Sequence, residues 1–542
     1  MSIYTNQFNP YARSRKPVYA KNGMVATSTT AAAQAGLAIL KQGGNAIDAA
    51  VATAACQTVT EPTSNGIGAD AFAIIHFQGK LYGLNGSGPS PKSLSLDALL
   101  AQGNHTIPNL GWDPVDVPGA PATWAALVNR FGKLSLAEDL APAIDYAQQG
   151  YAVPQVLAHY WRRAYEIYQK HAAASPSFAR LLPEWEHVFA PNGRTPAAGE
   201  CWSSPDHANT LKEIVETNAE SFYRGHLAEK IAATSQKAGG FLSLEDLAAY
   251  QPEWVDPISI NYHGYDVFEL PPNGQGIVAL EALGILDAFQ FATHDSVDTI
   301  HKQIEAIKLA FSDLFKFVGD PKSMTLPVDR LISQSYLTKR RQSITDTAAL
   351  PEAGNPDSGG TVYLCTADSE GNMVSYIQSN YMGFGSGVVI PGTGIAMNDR
   401  GCNFSLDPQS ADFIGGYKRP LNTIIPGFLA KDDQAIGPFG VMGGFMQPQG
   451  HVQALMNCID FGMDPQGALD TPRWQWTGDK NVQLERTFPD ALIQHLIAAG
   501  HHITINPEAN SFGRGQIIWH NPQTGTYVGG SDSRTDGAVA AW

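Results

Sequence analysis

Pro351-Glu-Ala-Gly-Asn-Pro-Asp-Ser-Gly-Gly360 runs directly into Thr361-Val-Tyr-Leu-Cys-Thr366, and the change of character between the two decides how the chain is read. The first run is polar and Gly-rich, with no apolar periodicity, as in a flexible linker or a cut site. The second is β-branched and aromatic and reads as a strand. Asp368-Ser-Glu-Gly-Asn372 then makes a turn, and residues 373–378 return as a second strand. Thr361 thus opens a strand behind two glycines. A Thr hydroxyl in mid-chain is a poor nucleophile, because nothing beside it takes its proton. At a chain terminus its own α-amine, which titrates at about 8, can serve as general base. Such chemistry requires a cut between Gly360 and Thr361. Gly359 and Gly360 permit the strained backbone from which the hydroxyl would attack the preceding carbonyl. An ordinary strand entered from a loop has the same local pattern, so the residues alone leave both readings open.

Upstream, residues 31–41 are Ala- and Leu-rich and predict a helix stopped by Gln42-Gly-Gly44. Asn45 is placed to cap a second helix over 46–59, with small residues all round. Residues 71–77 and 81–84 read as a hairpin, and the Gly-rich stretch 63–69 before it as a tight connection. From about 117 to 347 the pattern is mainly helical, most clearly over 134–150 and 297–317, with Leu270-Pro-Pro-Asn-Gly-Gln-Gly276 as punctuation. A helix-rich part therefore precedes the junction and a strand-rich part follows it.

A chain of 542 residues is long enough for roughly two to four folding units. Hydrophobic residues at 43% and charged residues at 16% describe a packed globular protein. A net charge of −16 argues against nucleic acid as a partner, since phosphate binding needs clustered Lys and Arg. No secretory pattern follows Arg13, Arg15 and Lys16, and no run approaches the roughly 20 apolar residues of a membrane span. Five scattered cysteines fit reduced thiols in a cytoplasmic protein, with no metal-ligand spacing. The 15 histidines suggest no cluster. His76, His451, His501 and His502 read as strand or surface residues.

Several ordered blocks carry a resemblance. Gly23-Met-Val-Ala26, Leu40-Lys-Gln-Gly-Gly-Asn-Ala-Ile-Asp-Ala-Ala50 and Val59-Thr-Glu-Pro62 resemble the opening of the γ-glutamyltransferase family. Thr361 with Asp368-x-x-Gly-Asn372 and Phe384-Gly-Ser-Gly387 is similar to the start of that family's small subunit. Lys418-Arg-Pro-Leu421, Gly440-Val-Met-Gly-Gly444 and Gly530-Ser-Asp-Ser-Arg534 resemble later blocks in the same order. The resemblance implies an α/β (α+β) fold, the four-layer αββα sandwich of N-terminal-nucleophile hydrolases. It implies a large subunit over 1–360 and a small subunit over 361–542, separated by self-cleavage at Gly360 and Thr361. These would be each other's partners, and a dimer of such pairs is one assembly open to them. By the same resemblance Thr361 is the nucleophile and Ser379 the supporting hydroxyl. Gly443 and Gly444 supply oxyanion N–H groups, each such donor being worth about 3 kcal/mol. No metal or organic cofactor is required.

Departures from the family pattern bear on substrate. The family's α-carboxylate Arg after the first hairpin is missing from Leu84-Asn-Gly-Ser-Gly-Pro-Ser-Pro91. Tyr381 replaces an Asn, Arg400 and Asn403 stand where a Gln and an Asp hold the substrate ammonium, and Asn422-Thr423 replaces Ser-Ser. An Arg with no Asp should reject an ammonium and prefer a bare carboxylate. The competing reading of Arg400 is a surface loop Arg paired with Asp399. The Arg-Gly-x-x-Phe variant resembles the acylase and oxamate amidohydrolase-like branch. The expected activity is a threonine amidohydrolase for a small carboxylate-bearing amide, oxamate being one candidate. The alternatives are a γ-glutamyltransferase or glutathione hydrolase, and a non-processing binding relative.

Overall fold

The computed structural model describes residues 15–350 and 361–542; Gly360 and the linker read from 351 to 360 lie outside them. Two seven-stranded sheets face each other. One takes, in order, Ala538–Ala541, Met24–Thr27, Val362–Ala367, Met373–Ser379, Asp70–Phe77, Lys80–Gly86 and Glu253–Val255. The other takes Val18–Ala20, Thr526–Ser531, Arg514–Asn521, Gln434–Met442, Gly427–Lys431, Tyr265–Glu269 and Ile258–Tyr262. Both sheets combine strands from before and after Thr361, so neither segment could build its sheets alone.

The strand after Thr361 has the period-two alternation expected of a buried strand. Tyr363 and Cys365 point into the apolar layer between the sheets, with Phe72, Ile74, Ile377, Phe428 and Ile518. Leu364 points the other way, into the core beneath the outer helices. Those helices, Thr30–Lys41, Ala46–Thr60 and Leu136–Gln149, cover the first sheet. Gly276–Leu286, Val297–Phe317 and Met446–Ile459 cover the second. The result is a helix–sheet–sheet–helix sandwich.

Helix Ala46–Thr60 begins where Asn45 predicts. The Asn45 side chain accepts from the backbone N–H groups of Ile47 and Asp48, and the Asp48 carboxylate accepts from Asn45 N at 2.8 Å. Every residue of the helix is buried, consistent with its small side chains. Asp368, in the turn after the Thr361 strand, accepts from Ala46 N at 2.9 Å and from Asn372 Nδ2 at 2.9 Å. A carboxylate at a helix N-terminus stabilises it by about 0.3–1 kcal/mol, and here it ties the hairpin after Thr361 to the first buried helix.

The expected helical stretch 117–347 contains five strands, the two-residue Tyr151–Ala152 and Cys201–Trp202 and then Glu253–Val255, Ile258–Tyr262 and Tyr265–Glu269. Ile258, Ile260 and Tyr262 carry the period of two. His263 and Gly264, with φ of 48° and 84°, form the hairpin connection. Long helical neighbours hid this short signal.

Candidate active site

Sheet register assembles the site. Val362 lies across from Gln378, which places Thr361 across from Ser379, and Ser379 lies across from Asp70. All three are fully buried and stand at one end of the first sheet, on the face toward the second. Thr361 Oγ1 donates to Ser379 Oγ at 3.2 Å, and Ser379 Oγ also accepts from Tyr381 N at 2.8 Å. Tyr381 holds a left-handed φ of 81°, which costs a non-Gly residue about 1–3 kcal/mol. It follows the strand rather than lying on it.

Strand Gln434–Met442 runs into Gly443 and Gly444, with φ of 137° and 59°, and then into helix Met446–Ile459. Only Gly adopts the first of these angles comfortably. The Gly444 carbonyl accepts from Gln275 Nε2 at 2.8 Å, which also donates to the Thr423 carbonyl at 2.6 Å. The helix brings Gln447 to Thr361, where Gln447 Nε2 donates to Thr361 Oγ1 at 3.2 Å.

Arg400, in a short 3-10 turn, is fully buried rather than on a surface loop. Its Nη1 donates to Thr423 Oγ1 at 2.8 Å, and its guanidinium lies 4.4 Å above the Tyr381 ring. Its Nη2 has no hydrogen-bond partner among the described residues. The nearest carboxylate is Asp70, not Asp399, with Arg400 Nε 3.5 Å from Asp70 Oδ2. Asp399 instead accepts from Met382 N at 3.0 Å. The expectation of an Arg with no Asp is thus corrected: a strand far away in sequence supplies the acid. Asn422 Nδ2 donates to the same Asp70 oxygen at 2.9 Å, while Asn403 Nδ2 is spent on the Leu421 carbonyl at 3.0 Å.

Burial pushes the Asp70 carboxyl up to about 6, against the opposing pull of Arg400, Gly88 N–H and Asn422. Burial likewise raises Asp399 to about 8 and lifts Asp116 well above the carboxylate range, Asp116 further through the charge of Asp70. One guanidinium therefore sits among three acids, two of them held largely protonated near neutrality.

Sequence reasoning missed Asp70 and Gln447. Asp70 was visible only as an acid opening an apolar strand, and Gln447 as a polar residue three positions after a Gly pair. His76 and His502 lie on strands as read, whereas His451 and His501 are buried off the strands. His451 is buried against Glu269 at 2.7 Å, and burial keeps both neutral. His301 Nδ1 meets His501 Nε2 at 2.8 Å, and with Glu305 they form the one group among the described residues spaced for a metal. His301 is also engaged with the Thr345 carbonyl, and Glu305 with Lys308 and Ala349 N. The group ties down residues 345–349. Cys365 is buried, and Cys402 is half-buried.

Two stacked antiparallel sheets between helical layers, with a Thr at the start of a central strand facing the space between them, define the N-terminal-nucleophile hydrolase sandwich. A family model described as Gamma-glutamyltranspeptidase matches residues 32–542, and the chain belongs to that family. It is 34% identical over 536 residues to the glutathione hydrolase-like YwrD proenzyme of Bacillus subtilis, covering 97% of this chain and 99% of that one. It is 33% identical over 535 residues to the oxamate amidohydrolase proenzyme of Klebsiella pneumoniae, covering 96% and 98%. The solved cephalosporin acylase from Bacillus halodurans superposes with a TM-score of 0.94 at 57% identity, over 99% of each chain. The protein is thus a proenzyme-type amidohydrolase acting on C–N bonds. Among the described residues, no helix is long and apolar enough to cross a membrane.

Proposed function

We propose that the chain cuts itself between Gly360 and Thr361, and that the freed Thr361 hydrolyses the amide of a small carboxylate-bearing substrate, with oxamate as a concrete case. Thr361 Oγ attacks the amide carbonyl, and its proton passes through the α-amine to the leaving amine. Gly443 and Gly444 hold the oxyanion, and water then releases the acyl group from the Thr361 ester. Residues 1–360 and 361–542 remain together as large and small subunits, because both sheets need strands from each. The observation that carries the substrate class is Arg400: buried, stacked on Tyr381 beside the Thr361–Ser379 pair, with one N–H edge unmatched among the described residues. Thr423 and Tyr381 fix that guanidinium, and Asn422 fixes Asp70 against it. A cytoplasmic location is part of the same reading.

Asp70 favours a second reading. A carboxylate beside Arg400 could pair with the α-ammonium of a γ-glutamyl group, as a glutathione hydrolase requires. One assay separates the two: ammonia release from oxamate and acyl release from a cephalosporin, set against cleavage of a γ-glutamyl anilide. The carboxylate-amide reading expects the first two to exceed the third by at least about tenfold in kcat/KM. Dominant turnover of the γ-glutamyl anilide would sink it.

The acid beside Arg400 also sets a pH dependence. Above pH about 6 the Asp70 charge competes with a substrate carboxylate for the guanidinium; below it, protonation releases Arg400. Because the folded pKa is raised from 3.8, the fold opposes ionisation, and stability from this group is greatest at low pH and falls as pH rises through about 6. Binding of a non-reacting dicarboxylate such as oxalate should therefore tighten by up to about tenfold between pH 7.5 and pH 5. Asp116, Asp399 and Arg419 share the field at Asp70 and Arg400, so Asp70→Asn is the control that should flatten the profile. Isothermal titration across that range measures it.

A further inference from the structure

We propose that Gln447 is a further catalytic residue, a neutral donor that steadies the charge on Thr361 Oγ as the acyl bond forms and breaks. The inference rests on the reading of Thr361 as nucleophile. Gln447 is fully buried in the first turn of helix Met446–Ile459. Its Oε1 accepts from Ile425 N at 3.0 Å, which fixes the amide plane and leaves the NH2 group facing Thr361. Its Nε2 then donates to Thr361 Oγ1 at 3.2 Å, while the Thr361 hydroxyl donates to Ser379.

A hydroxyl oxygen has one proton and two lone pairs. With its proton on Ser379 and one lone pair on Gln447, the direction of the other lone pair is set. The hydroxyl is thereby oriented before any substrate arrives. The donor also matters for charge. When the Oγ–H bond breaks and the Oγ–C bond forms, the proton passes to nitrogen and negative charge builds on Oγ. When water hydrolyses the Thr361 ester, the Oγ–C bond breaks, Oγ leaves with the electron pair, and it regains a proton. In both directions the charge is transient, and a buried N–H aimed at the oxygen stabilises the transition state more than the ground state. The same holds if the electrophile is the Gly360 carbonyl, so one residue would serve both maturation and turnover.

Gln447→Glu isolates the donor. It keeps an oxygen for Ile425 N and replaces the NH2 facing Thr361 with a carboxyl oxygen. At pH 8 this variant should mature more slowly than wild type and show kcat lower by roughly 100-fold, with KM within about threefold. As pH falls, the introduced carboxyl regains a proton it can donate, so the ratio of variant to wild-type kcat should rise; a residue that only packs would not produce that trend. Gln447→Met, which removes both polar ends, should show the same loss with no pH recovery, and serves if the first variant folds poorly by circular dichroism. Wild-type kcat and maturation in both variants would overturn the role of Gln447, as would a loss confined to KM. Thr361→Ala in parallel keeps the two levels apart. If it is inactive while Gln447→Glu matches wild type, only this inference falls; if it retains activity, the nucleophile reading falls and takes the inference with it.

Discussion

Thr361→Ala is expected to run as one full-length chain where the wild-type protein separates into two pieces split at Thr361, and to lose amide hydrolysis by about 10⁴-fold or more. The substitution removes the one oxygen on which the site converges: Ser379 loses a donor and Gln447 loses an acceptor. Leaving a buried donor unmatched costs about 1–3 kcal/mol, well short of unfolding a domain of this size, so the thermal midpoint should fall only modestly. Thr361→Ser keeps the oxygen and deletes a methyl group, and should both mature and turn over. Electrophoresis and an ammonia-release assay on the three proteins check this. Self-cleavage or undiminished hydrolysis by the Ala variant would remove Thr361 from the mechanism, and an uncut wild-type chain would favour a non-processing binding protein.

Arg400→Met is expected to have the second largest effect, and to be selective. With the guanidinium gone, a substrate carboxylate has no cation to meet, and Asp70 is left buried without its counter-charge. Truncating one member of a buried charge pair typically costs about 2–5 kcal/mol, so kcat/KM for oxamate should fall by roughly 10²–10³-fold. Uncharged oxamide presents the same amide without the carboxylate, so its turnover should change far less. The preference for oxamate over oxamide should therefore collapse. Arg400→Lys retains charge but not the planar fork over Tyr381, and should fall between the two. Equal losses on both amides would mean that Arg400 holds the fold rather than the substrate.

The readings that succeeded rest on local rules. A capped run of small residues predicted helix Ala46–Thr60 because Asn45 and Asp48 satisfy its first N–H groups from within one turn. The strand–turn–strand after Thr361 followed from β-branched residues around Asp368-Ser-Glu-Gly-Asn372, and register then carried Ser379 to Thr361 with no further information. The readings that failed share another property. Arg400 has Asp399 as its neighbour in the chain, while its partner Asp70 lies on a strand reached only by sheet pairing. His301 and His501 looked solitary for the same reason.

By itself, then, the order of residues determined where Thr361 opens a strand, which hydroxyl stands across from it, and where the Gly pair turns. Each of these depends on backbone conformation over a few residues, or on a register that one turn sets. Only the stacking of the two sheets decided what surrounds that Thr. It brought Gln447 from the far sheet's helix onto the Thr361 hydroxyl, and Asn422 onto Asp70. It also buried both pairs where water no longer screens them. Hydrogen bonds of that kind form between side chains far apart in the chain, and their strength comes from the low dielectric that tertiary packing creates.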